Sequence, residues 1–352
     1  MTSLSSDLET KPISRHDGLV AGCPRGMPDG AMVPPHGPDL PLRVGTRGSP
    51  LALWQTRDFL ALITRFCPLL REFDAFREHV ITTTGDRIQD KRLADIGGKG
   101  LFAKEIHEAL LDRRIDFAVH SLKDLETELP PGIVLACTLR REDPRDSLIL
   151  GPGSGAADAA DPWASLPKGA VVGTSSVRRQ SQLLHARPDL TVVLLRGNVQ
   201  TRLAKVREGS VDASLLAIAG LKRLDLAHEA STVIEPEIMV PAAGQGIVGV
   251  TVREENEELR ELLAAIADWE STIVATAERA LLAALDGSCR TPIGAHATIT
   301  PERRLRLTGL VARADGSFLL KRTIEGSPKD AARIGRELGR GLKRDSPADV
   351  FA

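Results

Sequence analysis

Four short stretches of this 352-residue chain place basic residues where a strand-like run ends and a helix begins. Residues 172–179 read as a strand, a Gly-Thr-Ser-Ser turn and a helix start, with Arg178 and Arg179 in the first helical turn. Cations there oppose the helix macrodipole, an unfavourable placement by a few tenths of a kcal/mol up to about 1 kcal/mol unless an anion joins them. The free backbone N–H groups at the same helix start suit a carboxylate or phosphate ligand. The plain alternative is a pair of solvated arginines behind a Ser175 or Ser176 N-cap. On the ligand reading, the arginines serve binding and Arg178→Leu should spare the stability of the ligand-free chain. Residues 195–202 repeat the design with Arg196 and Arg202, and Gly197 lets backbone approach a ligand closely. Residues 46–50, with Arg47 and Ser49, are a third case, and 219–223, ending in Arg223, a fourth. In a doubly wound sheet such strand ends converge on one crevice, so a polyanionic ligand is expected.

Residues 119–124, Val-His-Ser-Leu-Lys-Asp, end another strand with polar groups together. Asp124 beside Lys123 is either a simple ion pair or a carboxylate poised for proton transfer and for holding a cationic intermediate. His120, with no second His or Cys near it in sequence, reads as a satisfied core or turn histidine. Gly97-Gly-Lys99-Gly100 lacks the spacing of a Walker loop. It reads as a flexible Gly-flanked lysine at a lid, or as a plain turn. Of the four cysteines, Cys67 and Cys137 read as small core hydrophobes, whereas Cys289 sits between Gly287 and Gly294 in a turn that favours a reactive thiol. No C-x-x-C pair suggests a metal site or a disulfide framework.

The elements that must position these groups follow an α/β pattern. Ser49 as N-cap and Pro50 at the first helical position open a helix, with Ala52, Phe59, Ile63 and Phe66 on its core face. Phe102, Ile106, Ala109 and Leu110 form the apolar face of the next. Strand-like runs at 117–120, 133–138, 147–150, 171–174, 192–195 and 213–218, most separated by helical text, predict largely parallel sheets. A boundary is expected near Arg145. After the punctuated stretch 241–246, a strand at 247–252 is placed to return to the first sheet. Helical text from Ser271, strands at 293–300, 305–312 and 318–323 and a helix at 330–343 make a small α+β unit. The predicted division is a Pro-rich disordered tail at 1–40, a first α/β unit at 41–144 plus 247–267, a second at 145–246, and a third at 268–352.

Composition excludes other classes. Lys+Arg 46 against Asp+Glu 47 gives a formal charge of -1, and aromatics are 3% with no Tyr, so neither a nucleic-acid partner nor an anionic membrane is expected. No apolar run approaches the roughly 20 residues that span a bilayer, and no signal or transit peptide is read, so the expected compartment is the cytoplasm.

Taken together, the motifs resemble the hydroxymethylbilane synthase (porphobilinogen deaminase) family. They are Thr46-Arg-Gly-Ser-Pro-Leu-Ala-Leu-Trp-Gln, Gly97-Gly-Lys-Gly-Leu-Phe, His120-Ser-Leu-Lys-Asp, Arg141-Glu-Asp-Pro-Arg-Asp, Gly173-Thr-Ser-Ser-Val-Arg-Arg-Gln, Arg196-Gly-Asn-Val-Gln-Thr-Arg-Leu and Gly287-Ser-Cys-Arg-Thr-Pro-Ile-Gly. The resemblance covers about residues 42–326. It implies two domains like the halves of periplasmic-binding proteins and a third bearing the cofactor cysteine. It also implies a monomer that joins four porphobilinogen molecules head to tail with loss of ammonia and hydrolyses off hydroxymethylbilane. The implied primer is a dipyrromethane held on Cys289 by a thioether, contacted by Arg178, Arg179, Ser175 and Asp124. By the same resemblance Arg47, Ser49, Arg196, Arg202 and Arg223 bind substrate carboxylates, and Lys99 belongs to a mobile lid that meets substrate. Asp124, with Lys123, serves the chemical step by stabilising positive charge on a pyrrole nitrogen. After Lys123-Asp124 many relatives place a Pro within two residues. Here Leu125-Glu126 follows, so Glu126 adds a nearby charge. The rival reading is a non-catalytic polycarboxylate-binding protein of the periplasmic-receptor type, which gives Cys289 no task.

Overall fold

A computed structural model describes residues 40–72, 74–88, 100–154, 157–286 and 291–351. The predicted tail, apart from Leu40, lies outside them. The strands are β1 (Leu42–Thr46), β2 (Phe76–Val80), β3 (Phe117–Ser121), β4 (Ile133–Thr138), β5 (Asp146–Leu150), β6 (Val171–Gly173), β7 (Thr191–Val193), β8 (Ala213–Ala217), β9 (Thr232–Ile234), β10 (Val248–Arg253), β11 (Ile293–Ile299), β12 (Leu305–Ala312) and β13 (Leu319–Gly326). The helices are α1 (Pro50–Phe66), α2 (Leu69–Glu72), α3 (Thr84–Arg87), α4 (Lys104–Leu111), α5 (Val177–Ala186), α6 (Val199–Arg207), α7 (Ile218–Arg223), α8 (Glu257–Ala264), α9 (Trp269–Ala284) and α10 (Ala331–Asp345).

Two five-stranded sheets share one design, β2-β1-β3-β10-β4 and β7-β6-β8-β5-β9, and β11-β12-β13 form a small antiparallel sheet. The fold class is therefore α/β with a small α+β unit. The expectation of largely parallel sheets needs one refinement. Each large sheet holds one strand antiparallel to both its neighbours, β10 in the first and β5 in the second. Parallel neighbours need a local crossover connection, whereas β5 and β10 each enter directly from the other sheet through residues 139–145 and 241–247. β10 does pair with β3 and β4, as the sequence placed it.

Local chemistry starts the helices, at Ser49 as read and at two caps the sequence reading did not name. The Ser49 hydroxyl accepts from Ala52 N at 3.3 Å, Asn198 Oδ1 from Thr201 N at 2.9 Å, and Asp268 Oδ1 from Ser271 N at 2.8 Å. Phe59 and Ile63 are buried against Phe117 and Val250, but Phe66, the last residue of α1, is 47% exposed. Gln55 and Thr56 are buried instead, because their polar atoms are met by Ser121 Oγ at 3.0 Å and Thr46 Oγ1 at 2.8 Å. Phe102 precedes α4 and lies under the Arg47 guanidinium, not in the core. The sequence reading also lacked β2, β9 and α8. Phe-Arg-Glu-His-Val of β2 and the three-residue β9 are edge strands, half solvated, so they carry no continuous apolar run.

The two crossings are tied to α9 by one buried carboxylate. Glu278 is fully buried and accepts from Arg141 Nη1 at 2.6 Å, Gly244 N at 2.7 Å and Ala297 N at 2.7 Å. The first crossing, the second crossing and β11 therefore share one anion.

Candidate functional site

A cavity of about 590 Å³ opens at the C-terminal ends of β1, β3, β6 and β8, with residues 242–247 of the second crossing along it. Among the described residues, seven lining cations (Arg47, Lys123, Arg178, Arg179, Arg196, Arg202 and Arg223) face three lining carboxylates, Asp86, Asp124 and Glu126. The four basic strand ends thus do converge. Ser49 and Ser175 also line the cavity, the Ser49 hydroxyl being already used as the α1 cap; Ser176, not Ser175, caps α5 by accepting from Arg179 N at 3.4 Å. Lys99 and Cys289 lie outside the described residues. Their neighbours Gly100, Thr291 and Ile293 line this same cavity.

Asp124 does not pair with its sequence neighbour. Its Oδ2 stands 3.5 Å from Arg47 Nη1, whereas Lys123 Nζ donates to Gln245 Oε1 at 3.4 Å, so the simple Lys123–Asp124 ion pair is not the arrangement found. Arg47 is itself held by Asp86, through Nε at 3.2 Å and Nη2 at 2.5 Å, and lies 4.2 Å over the Phe102 ring. Burial pushes the Asp86 carboxyl up, but the Arg47 bonds and Thr83 outweigh it and hold it below the usual range.

The anion that the first-turn arginines require comes from the chain. Asp146, fully buried, accepts from Arg178 Nη1 at 2.7 Å and from Arg179 Nε at 3.1 Å and Nη2 at 2.8 Å. Each arginine also donates to a backbone carbonyl, Val240 O at 2.7 Å and Leu215 O at 2.8 Å. This reverses the expected effect of Arg178→Leu: the loss would leave a buried carboxylate half-compensated, which is strongly destabilising. Sequence spacing missed Asp146 because its partners are 32 and 33 residues away. The available signal was charge balance, since two arginines opposing a helix dipole need a carboxylate and the motif at 141–146 supplies one.

The cations remain short of compensation. Burial lowers Arg178, Arg196, Arg202 and Arg223; Arg202, further opposed by Arg179 and Arg196, falls to about 10. Lys123 is lowered by burial and by Arg179 against the pull of Asp124 and Asp146, to about 8. Arg196 Nη2 donates to Gly85 O at 2.9 Å and Ile88 O at 3.0 Å, Arg202 Nε to Gly197 O at 2.9 Å, and Arg223 Nη2 to Gly246 O at 2.8 Å. Among the described residues, the buried Arg178 Nε has no hydrogen-bond partner. Such a site stabilises a ligand carrying multiple carboxylates.

Other candidates resolve as packing. His120 Nε2 lies 2.9 Å from Thr251 Oγ1, and burial, with His107 and Arg47 adding to it, lowers the ring to about 3. It is a neutral core histidine. Cys137 is buried and its thiol is pushed up to about 12 by burial. Glu126 does add a charge at the cavity, its Oε1 3.1 Å from His107 Nδ1.

Comparison with known proteins gives these features a family. A family profile described as porphobilinogen deaminase, dipyromethane cofactor binding domain, matches residues 42–261, and one described as porphobilinogen deaminase, C-terminal domain, matches 272–344. Porphobilinogen deaminase of Paracoccus denitrificans is 47% identical over 317 residues, 89% of this chain and 97% of that protein. That of Sorangium cellulosum is 47% identical over 307 residues, covering 86% and 98%, and the chloroplastic one of Oryza sativa subsp. japonica is 45% identical over 313, covering 88% and 85%. Among solved structures, an ancestral arginine-binding protein bound to arginine is 15% identical, covering 64% of this chain and 89% of that one, with a TM-score of 0.37. With both family profiles matched and relatives at nearly half identity along most of its length, the chain belongs to the porphobilinogen deaminase family.

Proposed function

We propose that the chain is a hydroxymethylbilane synthase, a transferase that condenses four porphobilinogen molecules head to tail with loss of ammonia and then releases hydroxymethylbilane for tetrapyrrole synthesis. The observation that carries this reading is the cavity with seven cations and three carboxylates, one of them Asp124, in a chain of this family. Porphobilinogen bears an acetate and a propionate, so each ring added brings two carboxylates to a site rich in guanidinium forks. The residues present fit a bound dipyrromethane: Arg178 keeps a buried Nε without a partner, and burial leaves Arg202 and Arg223 poorly compensated. Arg178, Arg179 and Ser175 would hold its carboxylates, and Cys289 would carry it. When bound, the dipyrromethane supplies the anchored pyrrole to which porphobilinogen is joined.

The remaining work falls to this chain. Arg47, Ser49, Arg196, Arg202 and Arg223 hold substrate carboxylates, and Lys99 meets substrate. In porphobilinogen the aminomethyl C–N bond breaks, ammonia leaves and positive charge spreads to the ring nitrogen. The Asp124 carboxylate, held by Arg47, stabilises that charge and accepts the ring proton displaced when the new C–C bond forms. Lys123, beside it in sequence and held by Gln245, keeps a positive charge against the substrate carboxylates.

The proposal extends to organisation and setting. Residues 41–144 with 247–267 and residues 145–246 act as a pair of units hinged at the two crossings, with 268–352 as a third, a division supported by the return of β10 to the first sheet. The chain works as a cytoplasmic monomer without nucleic acid; no described helix is long and apolar enough to cross a membrane. Intact-mass measurement on protein purified from cells, before and after addition of porphobilinogen, is the test. A mass above the bare polypeptide, rising in porphobilinogen steps with release of ammonia, is expected. Reversible porphobilinogen binding with an unchanged mass and no ammonia would establish the non-catalytic polycarboxylate-binding reading instead.

A further inference from the structure

We infer that Asp146 is a positioning residue, a resident carboxylate that aims Arg178 and Arg179 into the cavity and, through Gln245, holds the Lys123 ammonium in place. This rests on the proposed function and deepens it. Asp146 is the first residue of β5, where the first crossing ends, and Gln245 lies in the second crossing. Gln245 Nε2 donates to Asp146 Oδ1 at 3.0 Å and to Pro144 O at 2.7 Å. Both acceptors require the NH₂ end, so the amide oxygen must point the other way, toward Lys123 Nζ at 3.4 Å. One buried anion therefore orders two arginines directly and one lysine at second hand, and does so from both crossings.

The charge count gives the arrangement a use. Arg178 and Arg179 repel one another in the first turn of α5, and Asp146 cancels one of their two charges while fixing both forks. One positive charge and the free Arg178 Nε remain for a ligand carboxylate. An arginine pair held this way loses little freedom when the ligand arrives. The charged groups around Lys123 are Asp124 and Asp146, which favour its ammonium form, and Arg178 and Arg179, which oppose it. Neutralising Asp146 removes one of the two supports, so Lys123 should then lose its proton at lower pH.

Asp146→Asn keeps the shape and removes the charge. In the cofactor-bearing enzyme, KM for porphobilinogen is expected to rise about tenfold or more, and the alkaline limb of the pH–rate profile to move down by roughly half a pH unit or more. The fraction of purified chains carrying a group on Cys289, read by intact mass, should fall. Lys123 acetylation by acetic anhydride across pH, read by peptide mass, should show the same downward shift without any turnover. Gln245→Met leaves the Asp146–arginine bonds in place and serves if Asp146→Asn does not fold. It should hold KM within about twofold while kcat falls about tenfold and the Lys123 labelling curve changes. Folded Asp146→Asn with parental KM, limb and labelling curve would overturn the inference. So would loss of thermal stability alone, and so would Gln245→Met with parental kcat. A parent chain that consumes no porphobilinogen sinks the proposed function instead, and the labelling curve still reads the Asp146 network.

Discussion

Arg47 shows how far a residue's role depends on its neighbours in space. Read from sequence it is a carboxylate binder at a strand end; in the fold its guanidinium is held by Asp86 and reaches Asp124, 77 residues away. Asp124 thereby faces the cavity, with its side chain 29% exposed. Asp124→Asn keeps the shape but loses charge and proton acceptor, so elongation in single-turnover experiments on cofactor-bearing protein should fall on the order of a hundredfold. Thermal stability should stay close to the parent's, because a partly exposed pair at 3.5 Å contributes about 1 kcal/mol or less. Normal elongation in that variant would move the proton-transfer role to another residue.

Among the elements, α9 and α10 pack on each other at glycines, while Leu281, Ile334, Leu338 and Leu342 cover one face of the small sheet. A Cβ at Gly335 would stand 2.2 Å from Ala277 O and 2.8 Å from Ala280 Cβ, and one at Gly339 would stand 2.8 Å from Leu281 O. Two effects compete in Gly335→Ala. Helix propensity favours alanine by about 1 kcal/mol. Overpacking against a backbone carbonyl, which cannot swing aside as a side chain can, costs typically about 1–3 kcal/mol. Packing should win, so Gly335→Ala is expected to lower the thermal midpoint, with KM for porphobilinogen little changed because α10 does not line the cavity. A raised midpoint would mean that the helices are free to separate.

Over the whole molecule, stability should depend on acidity in one direction. Burial, first of all, lowers His120 to about 3 and His296 to about 4, below the unfolded value of about 6.5. The unfolded chain therefore takes up protons that the folded chain refuses as pH falls through 6.5, and each histidine removes up to about 1.4 kcal/mol of stability per pH unit until its folded value is reached. Asp143, pushed up by burial but held down to about 2 by Arg145 and Lys222, acts in the same direction at lower pH. Its contribution is present above the unfolded carboxylate value and is lost as pH falls toward 2. Urea midpoints measured from neutral pH to about pH 4 should fall steadily. A flat profile over that range would show that the two rings are not buried neutral.

What the sequence determined by itself is local or periodic. The helix start at Ser49, the apolar strands of the sheet interiors and the repeated placement of basic residues after strands were all legible, because capping, alternation and turn chemistry act within a few residues. The crowding of those cations into one crevice followed from the α/β order. Tertiary structure alone decided the partners. Asp146 under two arginines, Glu278 joining both crossings to β11, Asp86 holding Arg47, and the choice of Gln245 over Asp124 for Lys123 span 19 to 137 residues of chain. The edge strands β2 and β9 also escaped the sequence, being half solvated and short. Such contacts leave no periodic trace, since any carboxylate meets the charge requirement and only the folded backbone chooses which one arrives.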